Sequence, residues 1–409
     1  MENAVHASTA RSSGQIVLAG AGYAGLHVAL RLSAKLSNHP AVELTLVDRH
    51  DYHQVITELP RVAGGTRAAD AVRIPLKDML AERVRFVQTE INGFDLADRR
   101  LLTEAGPIGY ARLVVALGSR PNDFAIPGLA QRTLSLYSAS DAERAWEAAS
   151  QAVSAAAAAD EPERQRRLAT VVVGGGGATG VELAGELAEM LPKVASRHGL
   201  APDRPAVLLV EAGPTILAGS SPQLIGKATR ILSDLGVQVR TNAAIAAATK
   251  EGFRLKDGQL VEGGVFVWAG GVKAPGLVAD SALPTGHNGR VKVDRYLRVL
   301  DHPEIYVAGD LASVTDPRTG HVLPPLAQVA LEEGETVARN LDAELEDRPL
   351  EAFTFHDKGF VVSVGPRRGV ADIAGFTSGG RMAHLLKDAI EWEYRQSVTH
   401  LRGWDPVAR

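Results

Sequence analysis

The sequence contains no cysteine among its 409 residues. A disulfide, a thiolate metal site, a cysteine-ligated iron–sulfur cluster and a redox-active dithiol are therefore all excluded. This composition fits a cytosolic or cytosol-facing protein, although it does not require one. Aromatic residues make up only 5% of the chain, so aliphatic residues and alanine must fill the core.

The chain also lacks a strong charge imbalance and a long apolar run. Its formal net charge of −4 gives no indication of nucleic-acid binding. No stretch of about 18 apolar residues is present, so no transmembrane helix is predicted. Residues 1–13 have no apolar core segment, and we expect no secretory signal there. With 45% hydrophobic and 22% charged residues, the sequence is typical of a globular protein with two or three domains.

Two stretches share one pattern: an apolar strand, a G-x-G-x-x-G turn, a helix, a second strand and an acid at its end. The first comprises a strand at 15–19, the glycines Gly20, Gly22 and Gly25, a helix at 26–36, a strand at 42–47 and Asp48. The second comprises a strand at 169–173, the glycines Gly175, Gly177 and Gly180, a helix at 181–191, a strand at 206–210 and Glu211. A lone glycine motif is weak, but this order of elements is the context that dinucleotide binding requires. We therefore predict two dinucleotide-binding units.

Each part of such a unit has a physical role. The first glycine makes a tight turn, the second lets a pyrophosphate approach the backbone, and the third lets helix and strand pack closely. The pyrophosphate lies at the helix N-terminus, where free N–H groups favour an anion. Asp48 and Glu211 are placed to accept hydrogen bonds from a ribose. The alternatives are ordinary glycine-rich turns, or a duplicated unit of which one copy has lost its ligand; the presence of both acids argues against such a loss.

The second unit favours NADH over NADPH. A 2′-phosphate next to Glu211 would be repelled, and residues 212–214, which follow it, carry no cation. Elsewhere, we expect 151–167 to hold a helix end and a surface loop, and 305–308 to be a strand that precedes Gly309 and Asp310. Short strands follow residue 353, and an amphipathic helix near 380–400 closes the chain.

These features resemble the flavin-dependent pyridine nucleotide–disulfide oxidoreductase superfamily over nearly the whole chain. The run at 305–310 matches its second FAD fingerprint, and the run at 114–121 matches its crossing between domains. The resemblance implies an α/β fold with two Rossmann-like dinucleotide-binding domains, for FAD and NADH, the second inserted in the first, plus a small C-terminal α+β region. The expected segments are 14–125 and 286–345 for the FAD-binding domain, 126–285 for the NADH-binding domain, and 346–409 for the C-terminal region.

Within the superfamily, disulfide reductases and sulfide:quinone reductases use cysteines, which this chain lacks. The sequence is most similar to the type II NADH:quinone oxidoreductases. The similar segments are 51–53, 180–186, 267–271 and 325–330. The resemblance implies hydride transfer from NADH to FAD and then electron transfer to a quinone, without proton pumping. The alternatives are a soluble NADH-dependent flavoreductase for a carrier protein or another small acceptor, and a non-catalytic redox sensor that binds FAD and NADH.

The resemblance also assigns site residues. FAD contacts are expected at Gly20, Gly22, Gly25, Asp48, Ala116, Gly118, Gly309, Asp310 and Ala327. On chemical grounds, Lys358 is a further candidate, because its cation would stabilise an anionic reduced flavin. NADH contacts are expected at Gly175, Gly177, Gly180, Glu211 and Gly270. Glu182 is expected near the nicotinamide and the flavin, and Gln328 at the quinone site. Glu332 stands where the family has a second glutamine, a departure that is expected to change quinone affinity or its pH response.

Quinone reduction takes up two protons, and Glu182 and Glu332 are candidates for handling them. The alternatives are a helix-start role for Glu182, a surface helix position for Glu332 and an exposed turn position for Lys358. The histidines show no metal-ligand spacing, so no metal site is expected. We expect His50 and His53 to be structural or close to the FAD.

The C-terminal helix has an apolar face with basic and aromatic residues nearby, among them Trp392 and Trp404. The apolar positions are Met382, Leu385, Leu386, Ala389 and Ile390. The resemblance implies peripheral contact with a membrane, at the cytoplasmic face of the inner membrane. The acids Asp388, Glu391 and Glu393 weaken this interpretation, and the alternative is a helix packed on its own domain or on a second subunit of a homodimer.

Overall fold

The structure is a computed structural model that describes residues 14–400. The predictions made for residues 1–13 and for Trp404 lie outside the described residues. Residues 14–125 form most of a parallel sheet with covering helices. Their elements are β1 (Gln15–Ala19), α1 (Tyr23–Lys35), β2 (Glu43–Asp48), β3 (Tyr52–Gln54), α2 (Leu59–Ala63), β4 (Arg73–Pro75), β5 (Val84–Gln88), β6 (Ile91–Asp95), β7 (Arg100–Thr103), β8 (Ile108–Gly109), β9 (Arg112–Val115) and β10 (Arg120–Pro121).

Strand β1 lies inside this sheet. It pairs in parallel with β2 on one side and with β9 on the other, and β5 continues the sheet beyond β2. The chain thus passes from β1 to β2 on one side and adds β9 on the other side later in the sequence. Such a switch point, at the carboxyl ends of the strands, is where open α/β sheets bind ligands.

Residues 126–285 form a second sheet of the same kind. Their elements are α3 (Leu129–Arg132), β11 (Leu134–Ser135), α4 (Ala139–Ala157), α5 (Pro162–Leu168), β12 (Thr170–Gly174), α6 (Ala178–Arg197), β13 (Ala206–Val210), α7 (Pro222–Asp234), β14 (Gln238–Arg240), β15 (Ile245–Ala248), β16 (Phe253–Leu255), β17 (Leu260–Val261), β18 (Val265–Trp268), β19 (Val272–Lys273) and α8 (Gly276–Ala279). The order of its parallel strands is β11-β18-β12-β13-β14. Strand β12 therefore lies between β13 and β18, as β1 lies between β2 and β9 in the first sheet. The antiparallel sheet β15-β16-β17 shares a buried cluster with it through Phe253 and Val172.

Residues 286–345 return to the first sheet. Their elements are β20 (Val291–Lys292), β21 (Arg298–Val299), β22 (His302–Val307), β23 (Ala312–Ser313) and α9 (Ala327–Leu345). Strand β22 adds to β9 in parallel, and β21 is an antiparallel edge strand. Because β9 and β22 flank the second unit in sequence but are neighbours in one sheet, the second domain is inserted in the first. The boundaries at 125, 285 and 345 stay predictions.

The C-terminal region consists of β24 (Phe360–Ser363), β25 (Gly369–Ile373), β26 (Phe376–Gly380) and α10 (Arg381–His400). The three strands form an antiparallel sheet, and α10 packs on it. Helices α6 and α7 of the inserted domain also contact this sheet. Within residues 14–400, no helix combines the length and the apolar composition needed to cross a bilayer.

Two helical segments differ from the sequence prediction. The stretch 151–167 is not a helix end and loop alone, because Pro162–Leu168 forms the separate helix α5. Pro162 takes the first helical position, where its missing N–H costs nothing, and Arg166 and Arg167 end the helix where its dipole favours cations. Helix α6 extends beyond the predicted 181–191 and passes through Pro192. Its added last turns bury apolar side chains, which offsets the backbone hydrogen bond lost at the proline.

Candidate functional site

The first glycine turn connects β1 with α1. Gly20 has a φ of +107°, and a Cβ there would lie 2.4 Å from the carbonyl oxygen of Ala116. A Cβ on Gly25 would lie 1.9 Å from the carbonyl oxygen of Gly20, so neither position tolerates a side chain. At Gly22, no heavy atom of residues 14–400 beyond its chain neighbours lies within 4 Å of that point. The turn is closed on its inner side and open at Gly22, which fits a pyrophosphate approaching the backbone.

The second glycine turn, between β12 and α6, has the same geometry. Gly175 has a φ of +111°, and a Cβ on Gly180 would lie 1.9 Å from the carbonyl oxygen of Gly175. At Gly177, as at Gly22, a Cβ would have no heavy atom of residues 14–400 within 4 Å apart from those of its chain neighbours. Gly270 serves packing, because a Cβ there would lie 2.1 Å from the ring of Trp268. Both turns therefore present a bare backbone and the N-terminus of a helix to the same kind of ligand.

The two predicted ribose-binding acids brace the glycine turns. Asp48 accepts hydrogen bonds from the backbone N–H of Ala21, at 2.7 Å, and of His50, at 2.8 Å. Glu211 accepts from the N–H of Gly176 and of Gly213, both at 2.6 Å. A carboxylate oxygen can accept more than one hydrogen bond, so each acid retains capacity for a hydroxyl group of a ligand. Their placement was predicted from the sequence, but their role in holding the turns was not.

Both turns open into one continuous cleft with a volume of about 2370 Å³. Gly22 and Asp48 line one part of it, and Gly177 and Glu211 line another. A site for one drug-sized ligand usually measures about 300–1,000 Å³, so this cleft has room for two larger ligands. Two open glycine turns, two helix N-termini and two acids are the donor and acceptor set that FAD and NADH require. The residues present therefore fit both dinucleotides.

The Gly-Asp motif after β22 faces the same cleft. The carboxylate of Asp310 accepts a hydrogen bond of 2.7 Å from the hydroxyl of Ser119, which follows Gly118 in the crossing segment. Burial raises the pKa of Asp310. The N–H of Gly309 donates to Glu333 at 2.6 Å. Glu333 is fully buried, and that burial raises its pKa well above the ordinary range. Sequence reasoning missed Glu333, since nothing in the helical pattern separates it from Glu332 and Glu335 beside it.

Glu182 belongs to a buried charge cluster that joins α6 to α10. It accepts hydrogen bonds of 3.1 Å from the N–H of Ser363 and from Nζ of Lys387, so it does not cap its own helix. Lys387 also lies 3.5 Å from Glu391, which is 3.3 Å from Arg61. Burial alone would lower the pKa of Lys387, but Glu182 and Glu391 raise it. Burial raises the pKa of Glu391 to about 7, a value near neutral pH.

Sequence reasoning found Glu182 but not its partners. Lys387 and Glu391 are spaced four residues apart on α10, and this spacing in the sequence was the only available signal. Glu186, one turn after Glu182, has a pKa raised to about 7 by burial and accepts a hydrogen bond of 2.7 Å from Thr66. The carboxyl groups of α6 thus meet charged and polar groups of the FAD-binding domain and of α10 in one place.

The predicted acceptor residues lie at the start of α9. Ala327 is its first residue, and Gln328 donates a hydrogen bond of 2.9 Å to the carbonyl oxygen of His356. Glu332 accepts from the N–H of His356 at 2.9 Å, and its other oxygen lies 4.0 Å from Nζ of Lys358. That other oxygen is buried and has no hydrogen-bond partner within the described part of the chain. Glu332 is therefore not a surface helix residue, whereas the side chain of Lys358 is exposed and lines the cleft.

The two predicted histidines differ in environment. His53 is fully buried and bonded to the first glycine turn through the carbonyl oxygen of Ala21, at 2.9 Å. His50 stacks on Tyr52 at the edge of the cleft.

Among residues 14–400, one group brings three possible metal-ligand atoms within 4.8 Å of one another: His39, Asp342 and Glu346. Lys35 pairs with Asp342 at 3.0 Å, and Arg348 pairs with both carboxylates. Two cations already compensate these acids. The group is therefore an ion-pair network at the ends of α1 and α9.

The outer face of the C-terminal region is apolar. Its exposed large side chains include Phe376, Met382, Leu385 and Trp392. Ile373 and Ile390 are also exposed, but they line the cleft. The three acids that were expected to weaken membrane contact differ in their surroundings. Glu391 is buried, Asp388 pairs with Arg61 at 2.5 Å while 41% of its side chain stays exposed, and Glu393 is exposed. Glu391 is thereby withdrawn from the exposed face, whereas Asp388 and Glu393 still weaken the membrane interpretation.

Comparison with known proteins gives consistent results at the levels of family, sequence and fold. The family model described as pyridine nucleotide-disulphide oxidoreductase matches residues 14–334. A type II NADH:quinone oxidoreductase from Staphylococcus aureus is 30% identical over 383 residues, which cover 92% of this chain and 94% of that protein. The protein of the same name from Staphylococcus haemolyticus is also 30% identical, with the same coverage.

Two solved structures share the fold. NDH2 from Plasmodium falciparum has a TM-score of 0.85 at 17% identity and covers 95% of this chain and 97% of its own. The sulfide:quinone oxidoreductase from Aquifex aeolicus has a TM-score of 0.76 at 18% identity and covers 95% of this chain and 92% of its own. The match of the family model and the identity to the staphylococcal proteins go further than fold alone. The chain belongs to the pyridine nucleotide-disulphide oxidoreductase family and, within it, to the type II NADH:quinone oxidoreductases.

Proposed function

We propose that this protein is an FAD-dependent NADH:quinone oxidoreductase. The observation that carries the proposal is the single cleft into which two glycine turns of matching geometry open, with the Ala327–Gln328 helix start in its wall. The chemistry supplied by a bound FAD is two-electron transfer between NADH and the quinone. The protein supplies binding, orientation and proton handling.

The two turns have different ligands in this proposal. The residues proposed to bind FAD are Gly20, Gly22, Gly25, Asp48, Ala116, Gly118, Gly309, Asp310, Ala327 and Lys358. The residues proposed to bind NADH are Gly175, Gly177, Gly180, Glu211 and Gly270. In each turn the open middle glycine admits the pyrophosphate to the N-terminus of a helix, whose dipole stabilises the negative charge.

The second turn selects NADH against NADPH. Glu211 is fixed by two backbone N–H groups, so its carboxylate cannot easily turn away from the ribose edge of the ligand. A 2′-phosphate at that edge would meet a negative charge. Gly213 and the residues beside it contribute no cation to offset that repulsion.

Glu182 and Lys387 serve the reaction from the wall of the cleft. Both line it, and the contact between them places a carboxylate and an ammonium group side by side. Glu391 lies one turn after Lys387 on α10. Its pKa of about 7 means that its carboxyl can give and take protons near neutral pH. We assign proton handling for quinone reduction to this cluster.

The start of α9 binds the acceptor. Gln328 and Glu332 both form hydrogen bonds with the backbone of His356, which fixes the loop at 354–359 that also lines the cleft. The free oxygen of Glu332 is an acceptor of hydrogen bonds, where a glutamine would also offer a donor. Glu332 is therefore proposed to set the affinity for the quinone and its dependence on pH.

We infer that the exposed face of α10 contacts a membrane surface. Phe376, Met382, Leu385 and Trp392 are large and exposed, and Arg381 lies beside them at the start of the helix. Burial of such a face in the headgroup region of a lipid bilayer is typical of in-plane helices. The proposed location is therefore the cytoplasmic face of the inner membrane, where the protein would be a peripheral enzyme. A homodimer that covers the same face is the competing arrangement.

The proposed function is tested by stopped-flow absorbance of the purified protein, mixed first with NADH and then with a short-chain menaquinone analogue. The expected result is rapid bleaching of the flavin band by NADH and its recovery on addition of the quinone. Bleaching without recovery would refute the quinone as acceptor and favour a reductase for a carrier protein. The absence of bleaching with either NADH or NADPH would refute the enzyme and favour a ligand-binding redox sensor.

A further inference from the structure

Helix α10 is hydrogen-bonded to the first glycine turn through one buried side chain. The hydroxyl of Tyr394 lies 2.7 Å from Nε2 of His53, and Nδ1 of His53 lies 2.9 Å from the carbonyl oxygen of Ala21. Ala21 stands between the first two glycines of the motif, and His53 is fully buried. A chain of two hydrogen bonds therefore joins the C-terminal helix to the backbone that faces the pyrophosphate.

The direction of these hydrogen bonds follows from the chemistry of the groups. A carbonyl oxygen only accepts, so Nδ1 of His53 carries the hydrogen and donates it to Ala21. Burial lowers the pKa of His53 to about 4, so the ring is neutral at pH 7 and its Nε2 is an acceptor. The hydroxyl of Tyr394 is then the donor. Each group satisfies the next, and replacement of any one leaves a buried polar atom without a partner.

The turn is held on both sides. The N–H of Ala21 donates to Asp48 at 2.7 Å, opposite the carbonyl oxygen that His53 engages. The ring of Tyr394 also stacks on that of Tyr23, with centroids 4.8 Å apart and planes at 25°. Tyr23 is the first residue of α1, the helix whose N-terminus receives the pyrophosphate. Tyr394 thus contacts both the turn and the helix start.

The position of Tyr394 is fixed by its neighbour in sequence. Arg395 donates to the buried carboxylate of Glu58 at 2.8 Å and to the carbonyl oxygen of Ala71 at 2.8 Å. Glu58 and Ala71 both belong to the FAD-binding domain. The end of α10 is therefore seated on that domain by a charged hydrogen bond beside the Tyr394 contact.

We propose that Tyr394 is a positioning residue for FAD. Through His53 it holds the first glycine turn in the conformation that receives the pyrophosphate, and the seating of α10 thereby sets the rate at which FAD leaves the protein. This inference rests on the proposed assignment of FAD to the first turn. It connects the outer helix, which carries the exposed apolar face, with retention of the cofactor.

The test is the rate of FAD release from Tyr394→Phe, followed by the rise in flavin fluorescence after dilution of the holoprotein. The change removes one hydrogen bond and keeps the stacked ring, so we expect release to be about 3- to 10-fold faster. Tyr110→Phe is the matched control, because the hydroxyl of Tyr110 is buried in the same domain and has no hydrogen-bond partner within residues 14–400. It should release FAD at the wild-type rate.

A double-mutant cycle separates positioning through His53 from general loosening of the fold. His53→Asn keeps an N–H near the position of Nδ1 and removes the acceptor at Nε2, so Tyr394→Phe should add little to it. Wild-type release from Tyr394→Phe, or an undiminished effect of that change in the His53→Asn background, would overturn the proposal. A yellow wild-type protein that fails to reduce quinone would refute the proposed function alone. A wild-type protein without flavin would overturn both.

Discussion

The carboxyl of Glu391 offers a direct test of the buried charge cluster. Burial raises its pKa to about 7 from an ordinary value of 4.5. A carboxyl with a raised pKa in the folded state stabilises the fold at low pH, since the folded chain binds the proton more tightly than the unfolded chain. That stabilisation is present below pH 4.5 and is lost as the pH rises to about 7. Glutamine has a similar shape and does not titrate, so Glu391→Gln should remove this dependence.

The magnitude follows from the two pKa values. A shift from 4.5 to about 7, at about 1.4 kcal/mol per unit, corresponds to roughly 3 kcal/mol. The free energy of unfolding of Glu391→Gln, relative to the wild type, should therefore rise by roughly 2–3 kcal/mol between about pH 4.5 and about pH 8. The assay is urea unfolding followed by circular dichroism across that range.

Glu393→Gln is the matched control, because Glu393 lies two residues away on the exposed face of the same helix. The difference between this variant and the wild type should not change with pH in the same manner. If the difference between Glu391→Gln and the wild type were also constant with pH, the pKa of Glu391 would be the same in the folded and the unfolded chain. The reasoning from burial would then be refuted.

Four further outcomes are expected. Glu332→Gln supplies an amide donor to the acceptor site and should change the KM for quinone about 3- to 10-fold without altering the rate of flavin bleaching by NADH; an unchanged KM would show that the side chain does not meet the acceptor. Glu211→Gln removes the charge that would face a 2′-phosphate and should raise kcat/KM for NADPH relative to NADH by about tenfold, and steady-state kinetics with equal ratios in both proteins would contradict this. Gly177→Ala has room for its methyl group, so it should fold and retain FAD while its KM for NADH rises; loss of FAD or of folded protein would contradict the open space seen there. Trp392→Glu should reduce co-sedimentation with lipid vesicles while flavin bleaching by NADH stays unchanged, and full vesicle binding would indicate that the exposed face meets another partner, such as a second copy of the chain.

The parts of the structure that rest on local patterns could be predicted from the sequence. Each glycine turn, its flanking strand and its helix lie within about 40 consecutive residues, and the motif itself requires this order. The fold class is confirmed for this reason. The insertion of one unit in the other was implied by the family resemblance alone, and the pairing of β9 with β22 confirms it. The helix after Gly180 was predicted too short, because Pro192 is a common helix stop unless packing of the last turns compensates.

The parts that depend on contacts between distant segments could not be predicted. Glu182 meets Lys387 across 205 residues of sequence, and no periodicity specifies which face of α10 turns toward α6. The same ambiguity explains why the burial of Glu391 could not be predicted. His53 was expected to be structural or close to the FAD, but its hydrogen bond to Tyr394 depends on how α10 packs on the first domain. Composition and spacing define the faces of a helix, whereas tertiary packing decides which of them is buried.

The buried charge cluster also limits how nucleotides can be exchanged. Arg61 belongs to the first domain, Glu182 to the inserted domain, and Lys387 and Glu391 to α10. Their two positive and two negative charges compensate one another in one small volume. A hinge motion that separated these partners before water reached them would leave buried charges uncompensated, at a cost of about 3–5 kcal/mol for each pair broken. We therefore expect the domains to stay closed during turnover. NADH then enters, and NAD⁺ leaves, by diffusion through the opening of a cleft whose width is fixed by the buried charge cluster.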